Sequence, residues 1–448
     1  MRILVFGTGF IYQQNKYRLK NFELIGFLDN DKNKQGSFLD GVIVDCPNNC
    51  NKYHYDAIIL MSTHYKEMRI QLLNLGVSNE KIIGEDDIGL FNKYVIKKEY
   101  CVRNSDNNKK RIMLVSNELT NTGAPNALKN VADCLLKHDF QVDILTCKEG
   151  ELLYDFVCAG VNVILYNHEN MISEDIFLDY NLVFFNTIVV KNLVKRFVGN
   201  KIPALWWIHE DEEAFLKFGI NKDDIVIDTN IIPLAVSNRV AKAYCKYTGE
   251  DNIYMLSCGV KEEIIKNTNF NKKRIVCAII GYVNEVKGQD LLISALKLKE
   301  KYWENELEFW IIGTISENDK LEFEKHKCVK VFGCLGHDRL MQMYKDIDIV
   351  LCTSRYESLS LSIIEGMMNK KICVVSSNTG IAEYCISKYN SVVFQSENID
   401  SMIEAIDWLL DNKDLWEIIS NRGYEVYRNN FTMEIFENGL MKLIDKYV

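Results

Sequence analysis

Positive charge is in deficit in this chain: 53 lysines and arginines face 62 aspartates and glutamates, a formal charge of −9. General nucleic-acid binders carry the opposite balance, so no nucleic-acid partner is expected. Apolar runs are short as well. None approaches the ~20 residues needed to cross a bilayer, so any membrane contact is expected to be peripheral. The opening MRILVFGTGF is a strand running into glycines and does not read as a signal peptide. Paired cysteines are missing too. Of 14, only Cys46 and Cys50 (CPNNC) lie close together, with no second pair or nearby histidine to complete a tetrahedral zinc site. Reduced thiols in the cytoplasm are the expectation. Proline is scarce, with 4 residues among many Lys, Asn and Ile, a compositional trait without functional content.

What is present is apolar mass, 48% hydrophobic and 11% aromatic, which suits packed domains rather than extensive disorder. A chain of 448 residues exceeds one core, and three domains are expected. Residues 1–92 read as a small α/β domain with strands in RILVFGTG, FELIGFLDND and YDAIILMS. Residues 93–109 end in a polar, charged run and read as a linker. A second α/β series occupies 110–270, from RIMLVSN to PLAVS. A third occupies 271–430, from RIVCAII through DIVLCTS to ICVVSS, and 431–448 form a helix expected to pack back on the second series. Strands alternating with helices imply parallel, doubly wound sheets. Ligands of such sheets bind beyond the carboxyl ends of strands.

The most informative segment is RYESLSLSIIEGMM, in which Glu357 and Glu365 are eight residues apart. A buried strand precedes it, and a helix from Leu361 follows. Glu357 then lies on the connecting loop and Glu365 about one turn into the helix. Ser358 and Ser360 offer N-caps, with Leu359 between them at a helix start whose free N–H groups and positive dipole end suit a phosphate. A phosphate flanked by two carboxylates that accept from sugar hydroxyls describes a nucleotide diphosphate-sugar. Lys287 follows the strand-turn of IVCAIIGYVNEVKGQDLLISAL, where an ammonium neutralises a diphosphate. Gly123 in TNTGAP precedes a helix with Pro125 in its first turn and permits close backbone approach to phosphate. His209 closes the strand IPALWWI at its carboxyl end; a lone histidine is more often structural, but this one falls where a cleft should open. Trp206 and Trp207 beside it read as core.

Three motifs in this order, each at a strand-to-helix junction, resemble a retaining glycosyltransferase of family 4, with two Rossmann-like halves in the GT-B fold. The resemblance covers roughly the last three quarters of the chain, from about residue 110 onward. It implies that Glu365 binds the nucleotide ribose, Glu357 the donor sugar, Lys287 and the Gly123 loop the diphosphate, and that His209 lies near the reacting sugar. The Asn378-Thr379-Gly380 loop would face the donor. Two departures stand out. Tyr282 follows Gly281 where the family has an arginine, so a phenol replaces a charge unless another cation such as Arg355 compensates. Ser257-Cys258-Gly259 stands where Pro-Asn-Gly is usual.

The resemblance further implies a UDP- or GDP-type donor substrate, no required cofactor, and no metal. Asp346-Ile347-Asp348, though it has the form of a metal-binding DxD, runs into a buried strand and reads as structural. The implied acceptor is a glycan or lipid-linked glycan in surface polysaccharide synthesis, at the cytoplasmic face of a membrane. Lys191, Lys195, Arg196 and Lys201 either meet anionic headgroups or form a plain solvated face. A nucleotide-sugar sensor or scaffold and a GT-B sugar epimerase are the alternatives. In the first domain Gly7, Gly9 and Asp29 form a broken dinucleotide fingerprint, with Tyr12 in the place of the third glycine. That domain is similar to the one at the front of bacterial amino-sugar acetyltransferases, and reads equally as a nucleotide site or a docking module.

Overall fold

The structure is a computed structural model and describes residues 2–19, 22–62, 64–84, 96–100, 109–166, 174–263 and 274–448. The chain divides into two compact units, one comprising the first 97 residues and the other Lys98–Tyr166 with Ser173–Val448. Three sheets carry it, one in the first unit and two in the second.

The sheet of the first unit runs in the order Phe38–Leu39, Val42–Asp45, Glu23–Leu28, Arg2–Phe6, Ala57–Leu60, Ile82–Gly84. All its pairings are parallel except the hairpin of the first two strands. Successive side chains of a strand alternate in face. Ile3, Val5 and Ile59 accordingly enter one core, and Leu4, Phe6 and Leu60 the other. Both faces are covered, as parallel sheets require.

In the second unit, one sheet includes, in order, Tyr254–Met255, Ile231–Ala235, Ala204–Ile208, Leu182–Asn186, Arg111–Glu118, Gln141–Lys148 and Asn162–Tyr166. The strand Ile96–Tyr100, which the boundary between the units divides, falls within the segment expected to be a linker, most of which lies outside the described residues. The other sheet runs Val329–Gly333, Leu307–Ile312, Ile275–Ile280, Ile349–Cys352, Ile372–Ser376, Val392–Phe394, with parallel pairings throughout. Arg111–Glu118 in the one and Ile275–Ile280 in the other lie inside their sheets, and the strands that follow each are added outward in both directions. The fold is therefore two Rossmann-like α/β halves preceded by a smaller Rossmann-like domain.

Two passages of chain join these halves, and they are bonded to one another. Val260 N–H donates to the Phe431 carbonyl at 2.8 Å, and the Tyr427 hydroxyl to the Val260 carbonyl at 3.0 Å. Beyond the second passage, the helix Met433–Tyr447 lies on the first half. Phe436 stacks on Trp207 at 5.9 Å, and Glu437 accepts from Lys137 at 2.7 Å. The exposed ion pair adds little; the buried ring anchors the helix. Phe436→Ala is expected to lower stability by about 3 kcal/mol through loss of the ring and the cavity left behind. Urea unfolding of the variant measures this, and a loss under about 1 kcal/mol would show that the ring does not anchor the helix.

Candidate active site

The places where strand order reverses position the site. In the half from Ile275 onward, the strands at the reversal are Ile275–Ile280 and Ile349–Cys352; the loops after them carry Lys287 and Glu357. In the other half, they are Arg111–Glu118, followed by Gly123, and Leu182–Asn186. A cavity of about 420 Å³ lies between the two crevices. One half lines it with Gly123, Ala124, His209 and Val236, the other with Gly281, Lys287, Glu357, Ser358, Leu359 and Glu365. Residues far apart in sequence, proposed for one site, thus meet around one space.

The Lys287 ammonium bonds Glu357 Oε1 at 2.5 Å, and the Ser354 hydroxyl donates to Oε2 at 2.9 Å. Burial alone would lower the Lys287 pKa, but the Glu357 charge, with Cys352 nearby, outweighs it and the net shift is upward. The Glu357 main chain is held as firmly. Its carbonyl accepts from Gly380 N–H at 2.8 Å, and a Cβ on Gly380 would lie 1.9 Å from the Ser358 carbonyl oxygen, so only glycine fits there. That carbonyl also accepts from Ser237 Oγ of the opposite half at 2.5 Å. A second bond between the halves joins Arg239 to Asn378 at 2.7 Å, while Asp211 and Glu213 hold the same guanidinium.

Glu365 sits in the helix Leu361–Met368 and accepts from the Tyr344 hydroxyl at 3.2 Å. Burial raises its pKa, against the pull of that hydroxyl and of His337. Ser360 occupies the N-cap position but makes no side-chain cap bond; its hydroxyl turns to Cys352 Sγ instead. The expected serine cap is therefore absent. The first-turn N–H groups are left without it, and Leu361 and Ser362 of that turn line the cavity.

His209 lies against Trp207 with ring centroids 4.5 Å apart, and its Nε2 meets Asn186 Oδ1 at 3.0 Å. Burial lowers its pKa to about 3, so the ring is neutral near pH 7. Trp206 and Trp207 are fully buried, with indole N–H groups donating to the Thr187 and Leu256 carbonyls. Glu210, which sequence reasoning passed over, accepts from the N–H groups of Ile188 at 2.9 Å and His209 at 3.1 Å. Burial outweighs those two donors and pushes its pKa to about 7.

Other expected residues fall elsewhere. Tyr282 is 56% exposed and does not line the cavity; its carbonyl accepts from Gln289. Arg355 does not compensate: Asp290 holds it through two bonds of 2.8 and 2.7 Å, and Glu397 at 3.1 Å. Thr379 is buried and borders a different crevice, beside Arg239 and Glu383, while Gly380 supports Glu357 from behind. Asp348 is buried and accepts from Val276 N–H at 2.9 Å, a structural role. Cys258 lines the cavity as a buried thiol, its pKa raised by burial to about 12. Lys191 and Lys195 both bind Asp224 at 2.7 Å, which neutralises part of the positive face. In the first unit, Gly7 adopts φ +105° and a Cβ there would meet the Met61 carbonyl. Asp29 is occupied locally, accepting from Thr8 N–H at 3.1 Å, the Thr8 hydroxyl, and Asp31 N–H at 2.9 Å.

Residues 260–426 match the family described as glycosyl transferases group 1, and 108–266 match glycosyl-transferase family 4. Together the two matches span residues 108–426 and support a family 4-like GT-B glycosyltransferase. Residues 1–83 match a C2185-like N-terminal domain. Among curated relatives of this chain is the N,N'-diacetylbacillosaminyl-diphospho-undecaprenol alpha-1,3-N-acetylgalactosaminyltransferase of Campylobacter jejuni. It is 27% identical over 42% of this chain and 49% of its own. The poly(ribitol-phosphate) alpha-N-acetylglucosaminyltransferase of Staphylococcus aureus is 27% identical over 41% of this chain and 38% of its own. The chain thus spans half or less of the length of these relatives. Anabaena HepE with UDP-glucose superposes with a TM-score of 0.64 at 14% identity, over 75% of this chain and 99% of that one. A glycosyltransferase from Rickettsia africae gives 0.62 at 18%, over 76% and 98%. These likenesses show the fold.

Glu210 makes stability depend on pH. Its folded pKa of about 7 lies above the ordinary 4.5, so between those values the native protein keeps a proton that the unfolded chain has lost. The associated stability is present at low pH and is lost as pH rises through that window. Glu210→Gln keeps an oxygen for both N–H groups and cannot titrate. Urea unfolding from pH 5 to 7.5 should show a shallower decline in the variant; identical slopes would exclude this role.

Proposed function

We propose that this chain transfers a sugar, with retention of configuration, from a UDP- or GDP-type nucleotide diphosphate-sugar to a glycan or lipid-linked glycan in surface polysaccharide synthesis. One observation carries the reading: a single cavity between the halves holds Gly123, His209, Lys287, Glu357 and Glu365 together. The family adds the reaction type, and the two curated relatives act on an undecaprenol-linked sugar and a ribitol-phosphate polymer, as their names state. HepE was crystallised with UDP-glucose.

The residues suit the roles. The open helix end at Leu361–Ser362 and the Gly123 backbone offer donors to the diphosphate, and Lys287 supplies the cation facing it. Lys287 is paired with Glu357. An entering diphosphate would share the ammonium, leaving Glu357 lone pairs for the sugar hydroxyls. As the bond from the anomeric carbon to the phosphate oxygen breaks, the acceptor oxygen bonds that carbon on the same face. The acceptor proton passes to the departing phosphate. Lys287 and the helix end stabilise the charge that develops on this leaving group without help from a metal. Tyr282 and Arg355 contribute no charge to the cavity, so the diphosphate rests on few groups. That thin set of donors also suits a sensor which binds without turnover, and the measurement below separates the two. A lipid-linked acceptor would bring the protein to a membrane surface; no helix among the described residues is long and apolar enough to cross one.

Calorimetry with UDP, GDP, ADP and their common sugars is expected to show one nucleotide-sugar binding the wild type and not Lys287→Ala. Glu357→Gln should lose about 10²-fold or more in kcat with little change in unfolding midpoint. The product, by NMR, should keep the donor's anomeric configuration. Binding without turnover would favour the sensor. Absence of all binding would overturn the reading.

A further inference from the structure

Asn186 touches two walls of the cavity without lining it. It ends the strand Leu182–Asn186, is wholly buried, and is not among the residues bordering the space. Its Nδ2 donates to the Ala124 carbonyl at 3.2 Å, and its Oδ1 lies 3.0 Å from His209 Nε2. Ala124 and His209 both line the cavity, Ala124 directly after Gly123 in the first turn of the helix Gly123–Lys137.

The partners fix the amide's orientation. A main-chain carbonyl only accepts, so the group facing Ala124 must be the NH₂ and the group facing His209 must be the oxygen. An amide oxygen only accepts in turn, so His209 Nε2 must carry a hydrogen. In a neutral ring that leaves Nδ1 with a bare lone pair.

We propose that Asn186 is a positioning residue for the transfer reaction: it holds His209 in the Nε2–H tautomer, so that Nδ1 accepts a hydrogen bond from a donor-sugar hydroxyl, and ties that ring to the Gly123–Ala124 turn. This rests on the glycosyltransferase reading above. A tautomer set by the hydrogen bond at the other ring nitrogen is a general property of imidazole. The burial that keeps the ring neutral acts in the same direction. His209 and the glycine loop would then move as one body, because a single buried amide joins them.

The test begins without a variant. Nitrogen-15 NMR of histidine-labelled wild-type protein, with the His209 signals assigned by their loss in His209→Gln, should show Nε2 protonated and Nδ1 bare. A protonated Nδ1 would overturn the proposal outright, whatever the enzyme binds. Asn186→Leu, which lacks both polar groups, should give a mixed tautomer and lose about 10-fold or more in kcat. Its donor KM should stay within about threefold. Asn186→Asp keeps an acceptor for Nε2–H and should retain the tautomer while losing the bond to Ala124. A pure Nε2–H tautomer or unchanged kcat in a folded Asn186→Leu protein would overturn the proposal. If Asn186→Leu does not fold, the wild-type tautomer and Asn186→Asp still decide. Failure of the wild type to bind any nucleotide-sugar would instead count against the glycosyltransferase reading and leave the tautomer measurement standing.

Discussion

The close approach of Gly380 to the Glu357–Ser358 main chain is the constraint from which the rest of the site follows. With no side chain at 380, the Ser358 carbonyl fits against it and Glu357 is clamped by a main-chain bond. Three consequences arise on that one loop. The Glu357 side chain reaches Lys287, the Ser358 carbonyl reaches Ser237 of the opposite half, and the following residues start the helix that carries Glu365. Any bulk at 380 would move all three together.

Much of this was legible in the sequence because a doubly wound sheet places its ligands by topology. Once strand and helix alternate, residues just past strand ends converge, and Gly123, His209, Lys287, Glu357 and Glu365 do line one cavity. What could not be read was the direction in which a loop side chain points. Gly281 adopts φ +144°, and the Tyr282 ring after it faces solvent; Arg355 is drawn away by Asp290 and Glu397, which are distant from it in sequence. The edge strands Phe38–Leu39 and Tyr254–Met255 are two residues long, too short to leave an alternating pattern. Asn186 did leave a signal: it closes the strand beside the reversal point of its sheet, the position that Cys352 holds before the Glu357 loop in the other half.

The electrostatics of the cavity are sparse and local. Two carboxylates and one ammonium face it, and one carboxylate is matched to the ammonium before any ligand arrives. The neutral His209 adds hydrogen-bonding capacity without charge. Much of the recognition of an anion must then come from main-chain N–H groups, whose placement depends on fold rather than on side-chain identity.

The paired passages of chain between the halves have a mechanical meaning. Val260 and Phe431 are bonded to each other, so the two passages are tied at that point. A relative motion of the halves that keeps this bond is a rotation about it. Such a rotation would part Ser237 from Ser358, Arg239 from Asn378 and Lys242 from Glu383 while both sheets stay intact. The terminal helix, seated on the first half through Phe436, holds the chain beyond Phe431 to that half and keeps the tie point close to it.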